Sequence, residues 1–124
     1  MAILDSSVII ELLRGNEKII REVEKLNERL NTTLINFYEV VRGVKGKKRE
    51  KVINFFKEMD LYPLDLEASM RAIRIYDELK SKGAMINELD ILIASISMVR
   101  NEILITLDQD FKQISYLKLR ILEK

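Results

Sequence analysis

Short apolar runs alternate along this chain with longer stretches in which apolar side chains recur at helical spacing, the pattern of one buried helix face. The run AIL at 2–4 predicts a strand that stops at Asp5. Val8, Ile9, Leu12 and Leu13 then carry a helical stripe to Gly15, which is suited to a C-terminal cap. Residues 17–30 read as an amphipathic helix, with Ile19, Ile20, Val23, Leu26 and Leu30 on one stripe and charges elsewhere. TTLI at 32–35 is short and rich in β-branched residues, hence a second strand, and Asn36 then opens a helix containing Glu39, Val40 and Val41 before Gly43.

The alternation continues. A basic stretch at 45–51 leads into VINFFKEM, where Val52, Ile53, Phe55, Phe56 and Met59 supply another buried face. LYPL at 61–64 predicts a short strand, and Pro63 favours a sheet edge because it cannot donate to a ladder. Asp65 is placed to cap a long helix over 66–82 that ends at Gly83, with Ala68, Ala72, Tyr76 and Leu79 facing inward. Asn87 opens an apolar helix, EILIT at 102–106 is a strand, LDQDF at 107–111 starts a short turn or helix, and LKLRIL at 117–122 is a last strand. Strands that alternate with helices indicate one α/β domain over 1–124. Its architecture is a three-layer α/β/α fold with a central, mainly parallel sheet of four to five short strands.

Composition removes whole mechanisms. The 124 residues include no cysteine and no histidine, which excludes thiol chemistry, a histidine general base, a Ser-His-Asp triad and a structural zinc site. Oxygen ligands remain, and these hold Mg²⁺, Mn²⁺ or Ca²⁺. The net charge of +1 means that any nucleic-acid affinity rests on local patches. No apolar run is long enough to span a membrane and no signal-peptide pattern opens the chain, so a cytoplasmic location is expected.

Asp90 is the residue that most needs explaining. It lies in LDILIASISMV, a segment so apolar that its helix must be buried almost all round, and an ionised group there must be paired, protonated, bound to a cation or placed at the solvent end. Asp5, Glu39 and Asp108 are its counterparts: each occurs where a strand ends or a helix begins. In open parallel sheets those positions converge on one crevice outside the carboxyl ends of the strands. Capping alone can explain each acid singly, since Asn36 with Glu39 and Asn87 with Asp90 have capping-box spacing and Asp5 and Asp108 are placed as N-caps. Capping does not require a charge inside a buried apolar helix, however. Four converging carboxylates would repel one another unless a cation such as Mg²⁺ or Mn²⁺ sat between them.

The ordered segments LDSSVIIELLRG, NFYEVVRG, NELDILIASIS and ITLDQDF resemble the PIN-domain ribonucleases, most nearly the small VapC-type toxins of prokaryotic toxin–antitoxin pairs. The likeness covers essentially the whole chain. It implies that Asp5, Glu39, Asp90 and Asp108 are the acidic catalytic and metal-site residues, with Asp5 and Asp90 in direct contact with metal. It adds Asp110 as a further acid, and Ser6 and Thr106 as polar neighbours that orient a water or a carboxylate. It also implies an RNA substrate, a homodimer and a cognate antitoxin protein. Residues 45–51, Arg14 and Arg42 are candidate phosphate contacts, although a solvated loop and helix-end charges are the plainer reading of each. Tyr38 is a candidate base-stacking residue, with packing as its plainer role.

Two other classes compete with a nuclease. A receiver domain has similar size and sheet, but its resemblance would require paired acids after the first strand and a Lys-Pro late in the chain. Here Asp5 is followed by two serines and the only proline is Pro63. A non-catalytic RNA-binding or partner-binding module on the same scaffold is the other alternative.

Overall fold

The computed structural model describes residues 1–124. Its elements run in the order β1 (Ala2–Leu4), α1 (Ser6–Leu13), α2 (Glu17–Lys25), β2 (Leu30–Thr33), α3 (Leu34–Arg42), α4 (Lys47–Lys57), β3 (Asp60–Tyr62), α5 (Leu66–Lys82), α6 (Glu88–Arg100), β4 (Ile103–Thr106), a 3₁₀ turn (Gln109–Gln113) and β5 (Leu119–Ile121). All strand pairs are parallel and the sheet order is β3-β2-β1-β4-β5, so the fold is the expected three-layer α/β/α domain with five strands.

Strand alternation sends side chains to two different layers. Ala2, Leu4 and Ile105 pack with Val8, Ile9, Ile19, Val40, Val52 and Phe56, so α1 to α4 cover one face. Ile3 and Leu104 point the other way, against Ala72, Ile75 and Leu79 of α5 and Ile91, Ile93 and Ala94 of α6. From Ile91 onward α6 is buried on nearly every side, as its composition requires. Each fully buried aliphatic side chain there contributes about 1.5–3 kcal/mol relative to exposure.

Several details differ from the sequence pattern: β3 runs over Asp60–Tyr62 and leaves out Pro63 and Leu64, and β5 is confined to Leu119–Ile121. The helix expected over 17–30 stops at Lys25, because Asn27 turns into the left-handed region at φ 48 and Leu30 pairs with Ala2 as the start of β2. The strand expected over 32–35 is displaced towards the N-terminus, and Leu34 and Ile35 already belong to α3. Thr33, not Asn36, is the N-cap of α3, accepting from the Asn36 amide. In α5 the inward stripe is Ala68, Ala72, Ile75 and Leu79, while Tyr76 is 36% exposed. Other expectations hold: Asp65 caps α5 through the Ala68 amide, Gly83 ends it at φ 66, and β3, which Pro63 follows, is an edge strand. No helix is long and apolar enough to cross a membrane.

Candidate active site

Winding outward from β1 through β2 to β3 and then resuming at β4 makes the gap between β1 and β4 the point where strand order reverses. Loops diverge there, which leaves a crevice at the carboxyl edge. Asp5 and Thr106 end those two neighbouring strands. The Asp5 amide donates to the Ile105 carbonyl at 2.9 Å, and the Thr106 hydroxyl donates to Asp5 Oδ2 at 2.6 Å.

Asp5 occupies the N-cap position of α1 without capping it through its side chain. Its carboxylate, only 4% exposed, turns instead to three donors: Asn36 Nδ2 on Oδ1 at 3.3 Å, and Ser7 Oγ at 2.9 Å with Thr106 Oγ1 on Oδ2. Three donors offset the loss of water that burial imposes on a charge. Ser7 also accepts from the Leu107 amide at 3.0 Å, and Thr106 accepts from the Asp108 amide at 3.0 Å, which ties the loop after β4 to the start of α1.

Glu39 lies on α3, half-buried, with Oε1 accepting from Ser6 Oγ at 2.8 Å. Loss of hydration pushes its carboxyl above the usual carboxylate range and the Asp5 charge adds to the rise, while Ser6 and Arg42 oppose it. Asp108 caps the 3₁₀ turn, accepting from the Asp110 amide at 2.9 Å, so its capping role is real. Asp110 is exposed.

Asp90 enters from the first turn of α6. The helix is capped by Asn87, which accepts from the Leu89 amide at 2.9 Å, so capping does not employ the Asp90 carboxylate. Its carboxyl is pushed up to about 7, first by loss of hydration and then by the charges of Asp5, Asp108, Glu39 and Asp110 in that order. Asp90 thus lies within electrostatic reach of the other four acids singled out in the sequence, although the five come from four separate segments. No group of three stands close enough, as positioned, to ligate one ion together. The chemistry of the set is nevertheless that of a hard-cation site: oxygen donors only, with excess negative charge in a half-dry crevice.

Beside Glu39 opens a groove of about 530 Å³ between α1, α3 and α4, floored by Ile10, Leu13, Val40 and Val44 and edged by Arg14, Lys48 and Lys51. The basic stretch therefore reaches the site through Lys48 and Lys51. Arg42 lies over the Tyr38 ring at 4.9 Å, and Tyr38 is 56% exposed.

Ser7, Thr33 and Asn36 are site residues that the sequence pattern does not separate from ordinary capping residues. The available signal was faint: polar side chains at 6, 7, 33 and 36 that exceed what two helix starts require.

Comparison with known proteins agrees with this fold. The chain is 29% identical to ribonuclease VapC1 of Methanocaldococcus jannaschii, over 98% of this chain and 87% of that protein. It is 30% identical to ribonuclease VapC3 of the same organism, over 77% of this chain and 96% of the relative. Among solved structures, VapBC2 from Rickettsia felis bound to a promoter DNA fragment superposes with a TM-score of 0.85 at 24% identity, covering 98% of both chains. DNA-bound VapBC from Salmonella typhimurium gives 0.84 at 23% identity, covering 97% of this chain and 96% of that one. At those identities the structures speak for the fold. The PIN domain family profile matches residues 2–116, nearly the whole length, and the chain belongs to the PIN domain family.

Proposed function

We propose that this chain is a divalent-metal-dependent endoribonuclease, the toxin of a toxin–antitoxin pair acting in the cytoplasm, and that it hydrolyses RNA phosphodiester bonds at Asp5, Glu39, Asp90 and Asp108. The observation that carries the reading is Asp90, a carboxyl pushed up to about 7 by burial and by the charges of neighbouring acids. Such a group is costly to the fold without a counter-charge, and a cation removes the cost. The relatives named as VapC ribonucleases support the same reading.

Asp5 and Asp90 are the direct ligands in this proposal, with Glu39 and Asp108 completing the charge and Asp110 at the margin. Mg²⁺ or Mn²⁺ bound there supplies shielding of phosphate charge and a more acidic water nucleophile. Asp5 is held by its three donors, so its orientation does not have to be found on binding. Glu39, whose Oε1 is occupied by Ser6, receives the proton of the attacking water at Oε2, and its raised pKa suits it to that role. Arg14, Lys48 and Lys51 line the groove leading away from Glu39 and offset the charge of the RNA backbone.

Partners follow from the same reading. An antitoxin would cover the acids; two of the similar solved structures are of VapBC bound to DNA. A second copy of the chain would cover the apolar side chains exposed on α5, namely Leu66, Met70 and Ile73.

Cleavage of a panel of structured RNAs by the purified chain, with Mg²⁺, with Mn²⁺ and with EDTA, beside Asp90→Asn, tests the proposal. Cleavage that requires metal and is lost in the variant is the expected result. A folded wild-type chain that cuts no RNA with either metal overturns it in favour of the non-catalytic binding module.

A further inference from the structure

Asn36 is completely buried, yet it sits in the first turn of α3, where a polar side chain ordinarily faces water. Thr33 performs the capping: its Oγ1 accepts from the Asn36 amide nitrogen at 3.1 Å and donates to Asn36 Oδ1 at 2.7 Å. That bond, together with the Asp5 carboxylate on the other side, leaves a single orientation for the side-chain amide. An ionised carboxylate accepts only, so the NH₂ must face Asp5 and the carbonyl must face Thr33.

The NH₂ group then serves two acceptors, Asp5 Oδ1 at 3.3 Å and Ser6 Oγ at 2.9 Å. Ser6, its lone pair taken by Asn36, donates its proton to Glu39 Oε1 at 2.8 Å. The result is a directed chain from Thr33 through Asn36 and Ser6 to Glu39, with a branch to Asp5. Asn36 has its carbonyl and both amide hydrogens engaged, and bonds in such a series polarise one another. One amide thereby joins the end of β1 to α3 and couples the orientation of Glu39 to that of Asp5, whose other oxygen Ser7 and Thr106 hold.

We propose that Asn36 is the positioning residue of the site: it holds Asp5 directly and Glu39 through Ser6, so that the two carboxylates address the same bound ion and scissile phosphate. This rests on the ribonuclease reading above. Partners of this kind that orient a ligating carboxylate are typically worth about 10- to 100-fold in metal affinity or activity.

The full-length chain tests it as wild type, Asn36→Ala, Ser6→Ala and the double variant, with melting temperature, Mn²⁺ binding by calorimetry, and kcat and KM on a cleaved RNA. Asn36→Ala is expected to weaken Mn²⁺ binding and lower kcat by about 10- to 100-fold each while KM for RNA is unchanged. Ser6→Ala is expected to lower kcat, and the double variant to lose less than the product of the single losses, because both residues act on Glu39 through one chain. A stabilising role alone would lower the melting temperature with kcat and Mn²⁺ affinity intact, and that result overturns the proposal. If Asn36→Ala does not fold, Ser6→Ala decides: wild-type kcat in that variant overturns the clamp, and a lowered kcat at unchanged KM upholds it. A wild type that binds no Mn²⁺ and cuts no RNA overturns the ribonuclease reading and the clamp together. Variants equal to an active wild type overturn the clamp alone.

Discussion

Thr106 and Asp5 stand 101 residues apart in sequence and share a 2.6 Å hydrogen bond at the carboxyl ends of adjacent parallel strands. The bond ties the end of β1 to the end of β4 and supplies one of two hydroxyl donors to Asp5 Oδ2, the other being Ser7. Thr106→Val keeps the shape and removes the donor, leaving a buried charge with one hydroxyl fewer and the Asp108 amide without its acceptor. Hydrogen bonds to charged groups contribute about 1.5–3 kcal/mol, so thermal unfolding should show a loss in that range. RNA cleavage should fall as well, since Asp5 is then held by Ser7 and Asn36 alone. A Thr106→Val chain with unchanged melting temperature would mean that Ser7 and Asn36 suffice.

The acids give the fold a definite pH dependence. Asp90 has an ordinary value of 3.8 and is pushed up to about 7 by burial and by Asp5, Asp108, Glu39 and Asp110. A raised carboxylate keeps its proton in the folded chain while the unfolded chain has lost its own. Stability from this group is therefore full below pH about 4, declines as pH rises, and is gone above pH about 7. Asp90 is only half-buried, so solvent screening reduces the effect to roughly 1–2 kcal/mol. Asp90→Asn should flatten this part of the pH–stability curve and raise the melting temperature at pH 8 in EDTA by a few degrees. Mn²⁺ should reverse the ranking, stabilising wild type and not the variant. A variant that melts below wild type at pH 8 in EDTA would show that Asp90 is held by contacts and not opposed by charge.

The sequence pattern foresees five strands in the right order, some with shifted ends, and singles out the acids whose charges reach Asp90; a short apolar run that stops at a polar residue is a local signal. Leu30 shows where such signals stop. It continues the stripe of Ile19, Val23 and Leu26 faithfully, and only the left-handed Asn27 and the pairing with Ala2 put it in a strand. Long-range pairing overrides helical periodicity there. Tyr76 misleads by one position: Ile75 continues the stripe from Ala68 and Ala72 to Leu79, and the tyrosine lies beside it. Asn36 and Ser7 are hidden for a different reason, since a polar residue at a helix start already has a local explanation. Their partners, Asp5 and Thr106, come from other strands and appear only once the sheet is assembled.

A second buried network, built on Glu102 at the amino end of β4, provides a control. Tyr62 donates to its Oε2 at 2.6 Å and Asn31 to its Oε1 at 3.0 Å, while Arg100 lies over the tyrosine ring at 4.4 Å. Burial and the carboxylate push the Tyr62 hydroxyl up to about 12, so it remains a donor throughout the working range. Tyr62→Phe removes that donor and should cost about 1.5–3 kcal/mol. Cleavage per folded molecule should be unchanged, because these side chains bond to one another and to none of the acids of the site. Loss of kcat without loss of stability would contradict the separation of the two networks.

Lys48 and Lys51 are the cations that connect the basic stretch to the acidic site, and their role is open to a quantitative test. If RNA runs along the groove beside Glu39, each lysine releases about one condensed counterion on binding. The dependence of log affinity on log salt for single-stranded RNA then carries a slope of about −0.7 per phosphate neutralised. Lys48→Gln and Lys51→Gln should each make the slope shallower by about 0.7 and raise KM at moderate salt, with kcat preserved because neither residue touches the acids. Binding of a catalytically silent Asp90→Asn chain to a labelled RNA, titrated with KCl, measures the slope without cleavage. Unchanged slopes in both lysine variants would direct the RNA to another path from the crevice, and a fall in kcat at constant KM would assign the lysines to the chemical step.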